Sequence, residues 1–247
     1  YDIELVEKIG QLFNNGIKNI VLDLRYNPGG YVTSALNLAS ALVSDRKESN
    51  IFAISEYNAN LTKKDYPTKD YFADYVYKGD ERKEHKNRLA SIPKGNLDHL
   101  YIIATENSAS ASELTIAALR PYMRDKLKHI GTTTVGKDKG SFTLEKADDD
   151  RIKWKLHPLV SRIGNSDGSV KGYTNGLDPD MHIDEWTEGY TITQGSYNDG
   201  SAAYVPTIYP WKGGWKELGD PDEPLLATAF ADIAGKTIKK SASTEPN

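Results

Sequence analysis

Leu100-Tyr101-Ile102-Ile103-Ala104-Thr105-Glu106-Asn107-Ser108-Ala109-Ser110-Ala111-Ser112-Glu113-Leu114-Thr115-Ile116-Ala117-Ala118-Leu119 carries the chain from an apolar run, through a turn of small polar residues, into a helix-forming stretch. An apolar run of this length closed by turn residues reads as a buried strand, and Glu113 to Leu119 reads as a helix. The same order stands earlier in the chain. Ile17 to Leu24 is strand-like, Asn27-Pro28-Gly29-Gly30 is a turn, and Ala35, Leu38, Ala39 and Leu42 recur at helical spacing. Two strand-turn-helix units predict an α/β fold with parallel pairing, because a strand that returns through a helix pairs parallel to its predecessor. Both turns then fall at the carboxyl ends of strands, where open α/β sheets hold ligands.

Outward from these units the texture changes. Ile3, Val6, Ile9, Leu12 and Phe13 predict an opening amphipathic helix over Asp2 to Asn14, with Asp2 as its N-cap and Gly16 as its stop. Between Glu56 and Leu97, charges and tyrosines (Tyr57, Tyr66, Tyr71, Tyr75, Tyr77) crowd a stretch poor in aliphatic residues. That is long for a plain connection, so a polar insertion with some structure of its own is expected, either covering the site or lying on the surface with its tyrosines packed on the body. Ile152, Trp154 and Leu156 alternate, and a strand is expected over Arg151 to Ile163. The run Asp148-Asp149-Asp150 before it reads as a solvated turn and not a metal site. Leu225, Leu226, Ala229, Phe230 and Ile233 predict a last helix within Pro221 to Ile233, and Lys236 to Asn247 reads as a disordered tail. With no internal repeat, residues 1–235 read as one domain.

Composition narrows the chemistry. The chain has 247 residues, of which 38% are hydrophobic, enough for a sizeable core. Lys+Arg 31 against Asp+Glu 35 leaves a net charge of −4 and a surface without a strong field, which argues against a nucleic-acid partner. There is no cysteine, so disulfides and thiolate chemistry are excluded. No apolar run reaches the ~18 residues of a membrane span. Tyr1 starts without Met or a leader pattern, so the chain reads as a mature or excised fragment.

Ser110 sits where a strand gives way to a helix, and a helix N-terminus offers unpaired N–H groups and the positive end of the dipole to a developing alkoxide or oxyanion. Taken locally, Ser110-x-x-Glu113 is a capping-box pattern that needs no chemistry, with Ser108 as an alternative cap and Ser112 inside the first turn. Lys137, in Gly131-Thr132-Thr133-Thr134-Val135-Gly136-Lys137, is a candidate base. The small and β-branched residues before it suggest a strand that delivers the lysine into a confined place, where burial lowers an ammonium pKa. Ser110 and Lys137 together are a candidate Ser-Lys dyad. Gly164-Asn165-Ser166-Asp167-Gly168 fits a nucleophile elbow letter for letter, but no helical pattern follows it, and its residues are ordinary turn formers. His85, His99, His129, His157 and His182 have no zinc-ligand spacing.

Four blocks occur in an order that resembles the C-terminal processing, or tail-specific, serine peptidases. They are Leu22-Asp23-Leu24-Arg25-Tyr26-Asn27-Pro28-Gly29-Gly30, Ser108-Ala109-Ser110-Ala111-Ser112-Glu113, Thr134-Val135-Gly136-Lys137 and Gly176-Leu177-Asp178-Pro179-Asp180. The resemblance implies a ClpP/crotonase-like α/β core of repeated ββα units, a nucleophile at Ser110 and a general base at Lys137. It also implies an oxyanion site from the N–H of Gly29 or Gly30 with that of Ala111. Asp23 and Arg25 would hold the turn by ion pairing, and the Asp178 block, with His182, would place an edge of the core. It further implies a polypeptide substrate in extended form, no metal or organic cofactor, and an exported, periplasmic or cell-envelope location in a bacterium.

Members of this family normally carry an upstream strand and often a PDZ domain, neither of which is visible here. They usually place Gly directly after the lysine and Gln three residues beyond that Gly. Here Asp138-Lys139 intervene before Gly140, Thr143 or Glu145 stands where the glutamine is sought, and Lys139 is a second candidate base. Two other readings stay open on the same scaffold: a noncatalytic peptide-binding relative and a crotonase-like acyl-CoA enzyme.

Overall fold

The structure is a computed structural model that describes residues 1–64, 66–77, 95–145, 151, 153–169, 172–183, 188–196, 202–210 and 216–236, with backbone alone over 188–196 and 202–210. In chain order the elements are α1 (Asp2–Asn14), β1 (Asn19–Asp23), α2 (Val32–Leu42), β2 (Ile51–Tyr57), α3 (Ala59–Thr62) and β3 (Lys69–Tyr71). Then come β4 (His99–Ala104), α4 (Ala111–Met123), a 3-10 turn at Arg124–Lys126, β5 (Leu127–Gly131), β6 (Lys139–Ser141), β7 (Leu159–Gly164) and β8 (Met181–His182). The strands β9 (Glu188–Ser196) and β10 (Ala202–Pro210) precede α5 (Pro224–Ile233).

The first sheet has the order β1-β4-β5-β8, and every pair in it is parallel. Strand β4 is buried on both faces, which is why its sequence is apolar without alternation. Leu100, Ile102 and Ala104 join the core formed with α1, α2 and α4, while Tyr101 and Ile103 meet Ile130 and the α5 residues Leu225 and Ala229. Burying each of the larger aliphatic side chains contributes about 1.5–3 kcal/mol, so this strand helps to hold the layers on both of its faces. Tyr101 Oη donates to Asp232 Oδ2 at 2.6 Å and Lys128 pairs with the same oxygen, which fixes α5 to its face of the sheet. A second, antiparallel sheet has the order β3-β2-β7-β6 and reaches the same core through Phe52 and Ala53. Strands β9 and β10 pair with each other. No helix among the described residues is long and apolar enough to cross a membrane.

The α/β class and both strand-turn-helix units stand as read from the sequence, but several local expectations need correction. The N-cap of α1 is Tyr1; Asp2 lies inside the helix, and its Oδ2 accepts from Ser34 Oγ at 2.8 Å and Asn37 Nδ2 at 3.1 Å, tying α1 to α2. The strand expected from Arg151 begins only at Leu159. Trp154 and Leu156 are exposed, and Leu156 makes an isolated bridge with Leu144, so their alternation did not mark a buried face. The segment before Lys137 is not a strand, because β5 ends at Gly131 and regular structure resumes at Lys139. In the tyrosine-rich insertion, β3 pairs with β2, and Phe72 packs edge-on against Tyr122 at 4.9 Å. Residues 78–94 of the insertion, the acidic run 148–150 and residues 237–247 of the expected tail lie outside the described residues.

His129, on β5, is fully buried. Its Nε2 faces Ala104 O at 3.1 Å, so Nε2 carries the proton, and its Nδ1 has no partner among the described residues. Burial pushes its pKa below the ordinary value. Arg120 adds to the shift, and Ala104 O and Asp180 oppose it. The folded state therefore binds fewer protons than the unfolded chain as pH falls through about 6.5, so stability is full above that pH and is lost below it. Below pH 6.5 the loss due to this residue should approach about 1.4 kcal/mol per pH unit until the folded-state pKa is reached. His129→Leu leaves Ala104 O still bonded to Thr132 N–H at 3.2 Å. Urea unfolding at pH 7 and pH 5.5 should show a smaller acid loss in this variant than in the wild type; equal losses would contradict the assignment.

Candidate active site

The turn between β4 and α4 is built on Ser110, whose φ of 57° and ψ of −113° lie outside the regions open to L residues. Such a conformation costs about 1–3 kcal/mol and persists only when its surroundings hold it. They do so from both sides. Ala109 N–H donates to Asn27 O at 3.0 Å and Ser112 Oγ to the same oxygen at 3.1 Å. Ser108, expected as an alternative cap, has another task. It is fully buried, its Oγ donates to Leu24 O at 2.8 Å and accepts from Thr105 N–H at 2.9 Å, and this ties the ends of β1 and β4 together. Ser110 is the N-cap of α4, as its local pattern suggested, and its side chain is only partly covered.

The carboxylate of Glu113 organises the site. Glu113 is fully buried, and its Oε2 accepts from Ser110 N–H at 2.8 Å and from Lys137 N–H at 2.9 Å. Its Oε1 accepts from Thr134 Oγ1 and from Gly136 N–H, both at 2.6 Å. The capping-box signal located Glu113, but its spacing gave no sign of a bond to a loop 24 residues away. Burial first, then the charges of Glu113 and Asp138, push the pKa of the neighbouring Tyr173 hydroxyl well above its usual value.

The expected enclosure of Lys137 is absent. Val135 and Lys137 are exposed while Thr134 and Asp138 are buried, so the loop turns Lys137 outward. Contacts between the Ser110 and Lys137 residues run through Glu113, and a direct Oγ to Nζ bond is not among them. Lys139, the second candidate base, has its amine paired with Asp138 and donating to Thr174 Oγ1 at 3.1 Å. Burial pushes the Asp138 carboxyl up, but hydrogen bonds from Lys139 and Thr174 and the charges of Lys139 and Arg162 outweigh it and hold the pKa below the usual carboxylate value. Of the two residues expected in place of the glutamine, Thr143 Oγ1 meets His157 Nδ1 at 3.3 Å, and Glu145 pairs with Lys155.

The Asn27-Pro28-Gly29-Gly30 turn lies directly against Ser110. A Cβ at Gly29 would come within 2.6 Å of Ser110 Cβ, 2.7 Å of Ala109 O and 2.7 Å of Ala111 N, and the residue has φ +96°. Only glycine fits such an approach. Gly29 N–H donates to Asn27 Oδ1 at 2.9 Å, whereas Gly30 N–H and Ala111 N–H have no partner among the described residues. Arg25 holds the base of the turn. Its guanidinium is buried and reaches Asp23 Oδ2 at 2.7 Å and Glu223 Oε1 at 2.8 Å, and Glu223 in turn caps α5 through Leu225 N–H and Leu226 N–H. The ion pair expected of Asp23 and Arg25 is therefore present. Its third member, Glu223, left no readable signal because it lies 198 residues away.

The Gly176 to Asp180 block clasps the Lys137 loop from the far side. Thr134 N–H donates to Leu177 O at 3.2 Å, and Leu177 N–H donates to Thr134 Oγ1 at 2.8 Å. A Cβ at Gly136 would stand 2.3 Å from Thr174 O, and one at Gly176 2.2 Å from Thr134 O, which accounts for both glycines. Asp180 Oδ2 accepts from His129 N–H at 2.8 Å, and β8 pairs with β5, so the block and His182 do form the edge of the parallel sheet. After Gly164, the last residue of β7, Asn165 to Gly168 is a turn closed by Ser169 N–H on Asp167 Oδ1 at 2.8 Å, and no helix follows it directly among the described residues.

The chain and its fold have known counterparts. Residues 2–183 match the model of Peptidase family S41, and the chain belongs to that family. A probable CtpA-like serine protease of Staphylococcus epidermidis is 29% identical over 180 residues, which is 73% of this chain and 30% of that protein. One of Staphylococcus aureus is 27% identical over 181 residues, with the same coverage. The chain thus spans 30% of the length of these curated relatives. Among solved structures, a Bacteroides fragilis protein assigned to the S41 proteases superposes with a TM-score of 0.65 at 24% identity, covering 95% of this chain and 49% of that one. The photosystem II D1 C-terminal processing protease does so with a TM-score of 0.50 at 19% identity, covering 74% of this chain and 39% of that one. At those identities the likeness is one of fold, and it agrees with a ClpP/crotonase-like core.

Proposed function

We propose that this domain, residues 1–235, is the serine-type peptidase core of an S41 enzyme that cleaves extended polypeptides, with Ser110 as nucleophile and Lys137 as general base. The observation that carries the reading is the shared acceptor: Ser110 N–H and Lys137 N–H both bond to Glu113 Oε2. The flexible four-carbon stem of a lysine then has only a short span to cover from its anchored backbone to the serine hydroxyl. Ser110 Oγ attacks the peptide carbonyl carbon while Lys137 Nζ takes the hydroxyl proton, and the tetrahedral oxyanion lies on the N–H groups of Ala111 and Gly30. Gly29 supports that site by its close approach, since its own N–H is bonded to Asn27. Collapse of the intermediate breaks the C–N bond, and Lys137 returns the proton to the leaving amine. Water, deprotonated by the same amine, then releases the acyl group from Ser110. The bound polypeptide supplies the cover that Lys137 lacks in the free protein, excluding water as it docks. Family membership and the CtpA-like relatives support action near C-terminal segments and an exported location.

The exposed Lys137 favours one rival, a peptide-binding relative without turnover. A fluorophosphonate probe separates the two. Wild-type protein should gain the mass of one phosphonyl group on the peptide containing Ser110, Ser110→Ala should gain none, and Lys137→Met should label far more slowly. Labelling undiminished in Ser110→Ala, or none in the wild type under conditions where it is folded, would discard the dyad.

A further inference from the structure

Immediately after Lys137 the chain buries an acidic residue. Asp138 is 1% exposed, and three segments converge on its carboxylate. Lys139, at the start of β6, pairs with Oδ1. Thr174 Oγ1 donates to Oδ2 at 2.9 Å, and Arg162 Nε of β7 stands 3.4 Å from the same oxygen. Lys139 and Thr174 also bond to each other, at 3.1 Å. The backbone of Asp138 is held as firmly as its side chain: its N–H donates to Gly136 O at 3.2 Å, and its carbonyl accepts from Ile163 N–H at 2.9 Å. The facing loop is fitted around the carboxylate, since a Cβ at Gly172, which has φ +108°, would lie 2.5 Å from Asp138 Oδ2 and 2.7 Å from Arg162 Cδ.

Taking the reading of Lys137 as the base, we propose that Asp138 is its positioning residue, doing through the backbone what a side-chain partner of the lysine does in other arrangements. The bond from Asp138 N–H to Gly136 O folds the chain into a three-residue turn at Lys137, and with the Asp138 side chain locked inward the Lys137 side chain stands exposed on the outside. Lys137 is thereby fixed twice, by its own N–H on Glu113 and by the clamp on the residue that follows. An ion cluster is a poor way to gain stability, because apolar residues of similar volume often do as well or better. What it adds is a single allowed geometry. It also commits the amine of Lys139 to Asp138 and Thr174, so that only one of the two neighbouring lysines is presented.

The test compares Asp138→Ala, Asp138→Asn and Thr174→Val with the wild type, reading kcat and KM for peptide cleavage and amide hydrogen exchange along the chain. Asp138→Ala should lower kcat about 100-fold, the scale of a mispositioned catalytic group. KM should stay within about threefold, because Asp138 is placed to act on the reacting group and not on substrate affinity. The Lys137 N–H should exchange at least about tenfold faster while the amides of α4 keep their protection. Asp138→Asn keeps an acceptor for Thr174 and should fall between wild type and Asp138→Ala, and Thr174→Val should show the mildest loss. Unchanged kcat in Asp138→Ala overturns the proposal, as does a loss shared equally by KM and by protection throughout α4. A wild type without Ser110-dependent cleavage, whose Lys137 N–H still loosens in Asp138→Ala, supports the clamp and discards the reading of Lys137 as base.

Discussion

Glu113→Ala is expected to lower kcat/KM for peptide cleavage by at least about 10³-fold and the unfolding free energy by about 3–5 kcal/mol. The carboxylate is fully buried and accepts from Ser110 N–H, Thr134 Oγ1, Gly136 N–H and Lys137 N–H. Removing it takes the acceptor from all four donors, at about 1–3 kcal/mol for each one that water does not reach; Thr134 is buried, while Ser110, Gly136 and Lys137 are partly or fully exposed. The larger kinetic effect follows from geometry, because the proposed nucleophile, Ser110, and the proposed base, Lys137, take their backbone placement from the same oxygen. Glu113→Gln separates the two consequences. An amide at that place presents one oxygen and one NH2 group, so one pair of its protein partners must face a donor. Rate should still fall about 10²-fold, with a stability loss of about half that of the alanine variant. A Glu113→Gln enzyme with wild-type kcat would refute the shared placement.

Gly29→Ala should lower kcat about 10²- to 10³-fold with little change in KM. The added methyl would stand under 3 Å from Ser110 Cβ, Ala109 O and Ala111 N, and two of those atoms are backbone that cannot rotate away. The turn must therefore retreat from α4, which separates Gly30 N–H from Ala111 N–H. The positive φ adds strain of about 1–2 kcal/mol in its own right. Gly30→Ala meets nothing within 4 Å and serves as the control: it should retain most of the activity. If Gly29→Ala cleaves peptide at the rate of Gly30→Ala, the turn is not the oxyanion site.

The parts of this arrangement visible in the sequence were those carried by local pattern. The apolar run of β4 and the small-residue turn after it marked Ser110, and the glycine pair after Pro28 marked the second turn. Periodicity failed at Trp154 and Leu156, where alternation marks an exposed arm instead of a buried face. It failed again at Thr132 to Gly136, where β-branched residues suit a strand but the chain is held open by bonds to Glu113 and Leu177. What escaped altogether were bonds between distant segments: Glu113 to Lys137, Asp138 to Arg162 and Thr174, and Arg25 to Glu223. Each of these residue types is ordinary on a surface, and only tertiary structure distinguishes a buried carboxylate with several donors from a solvated one.

The pairing of Arg25 with Glu223 also bears on timing. The two residues stand 198 positions apart in the sequence, so during synthesis the guanidinium waits for its second carboxylate until α5 has left the ribosome and docked. Ser110 is made long before that moment. A nascent chain therefore carries the serine while the strut beneath the neighbouring turn is still unbuilt, and order of manufacture alone delays a finished turn until α5 arrives.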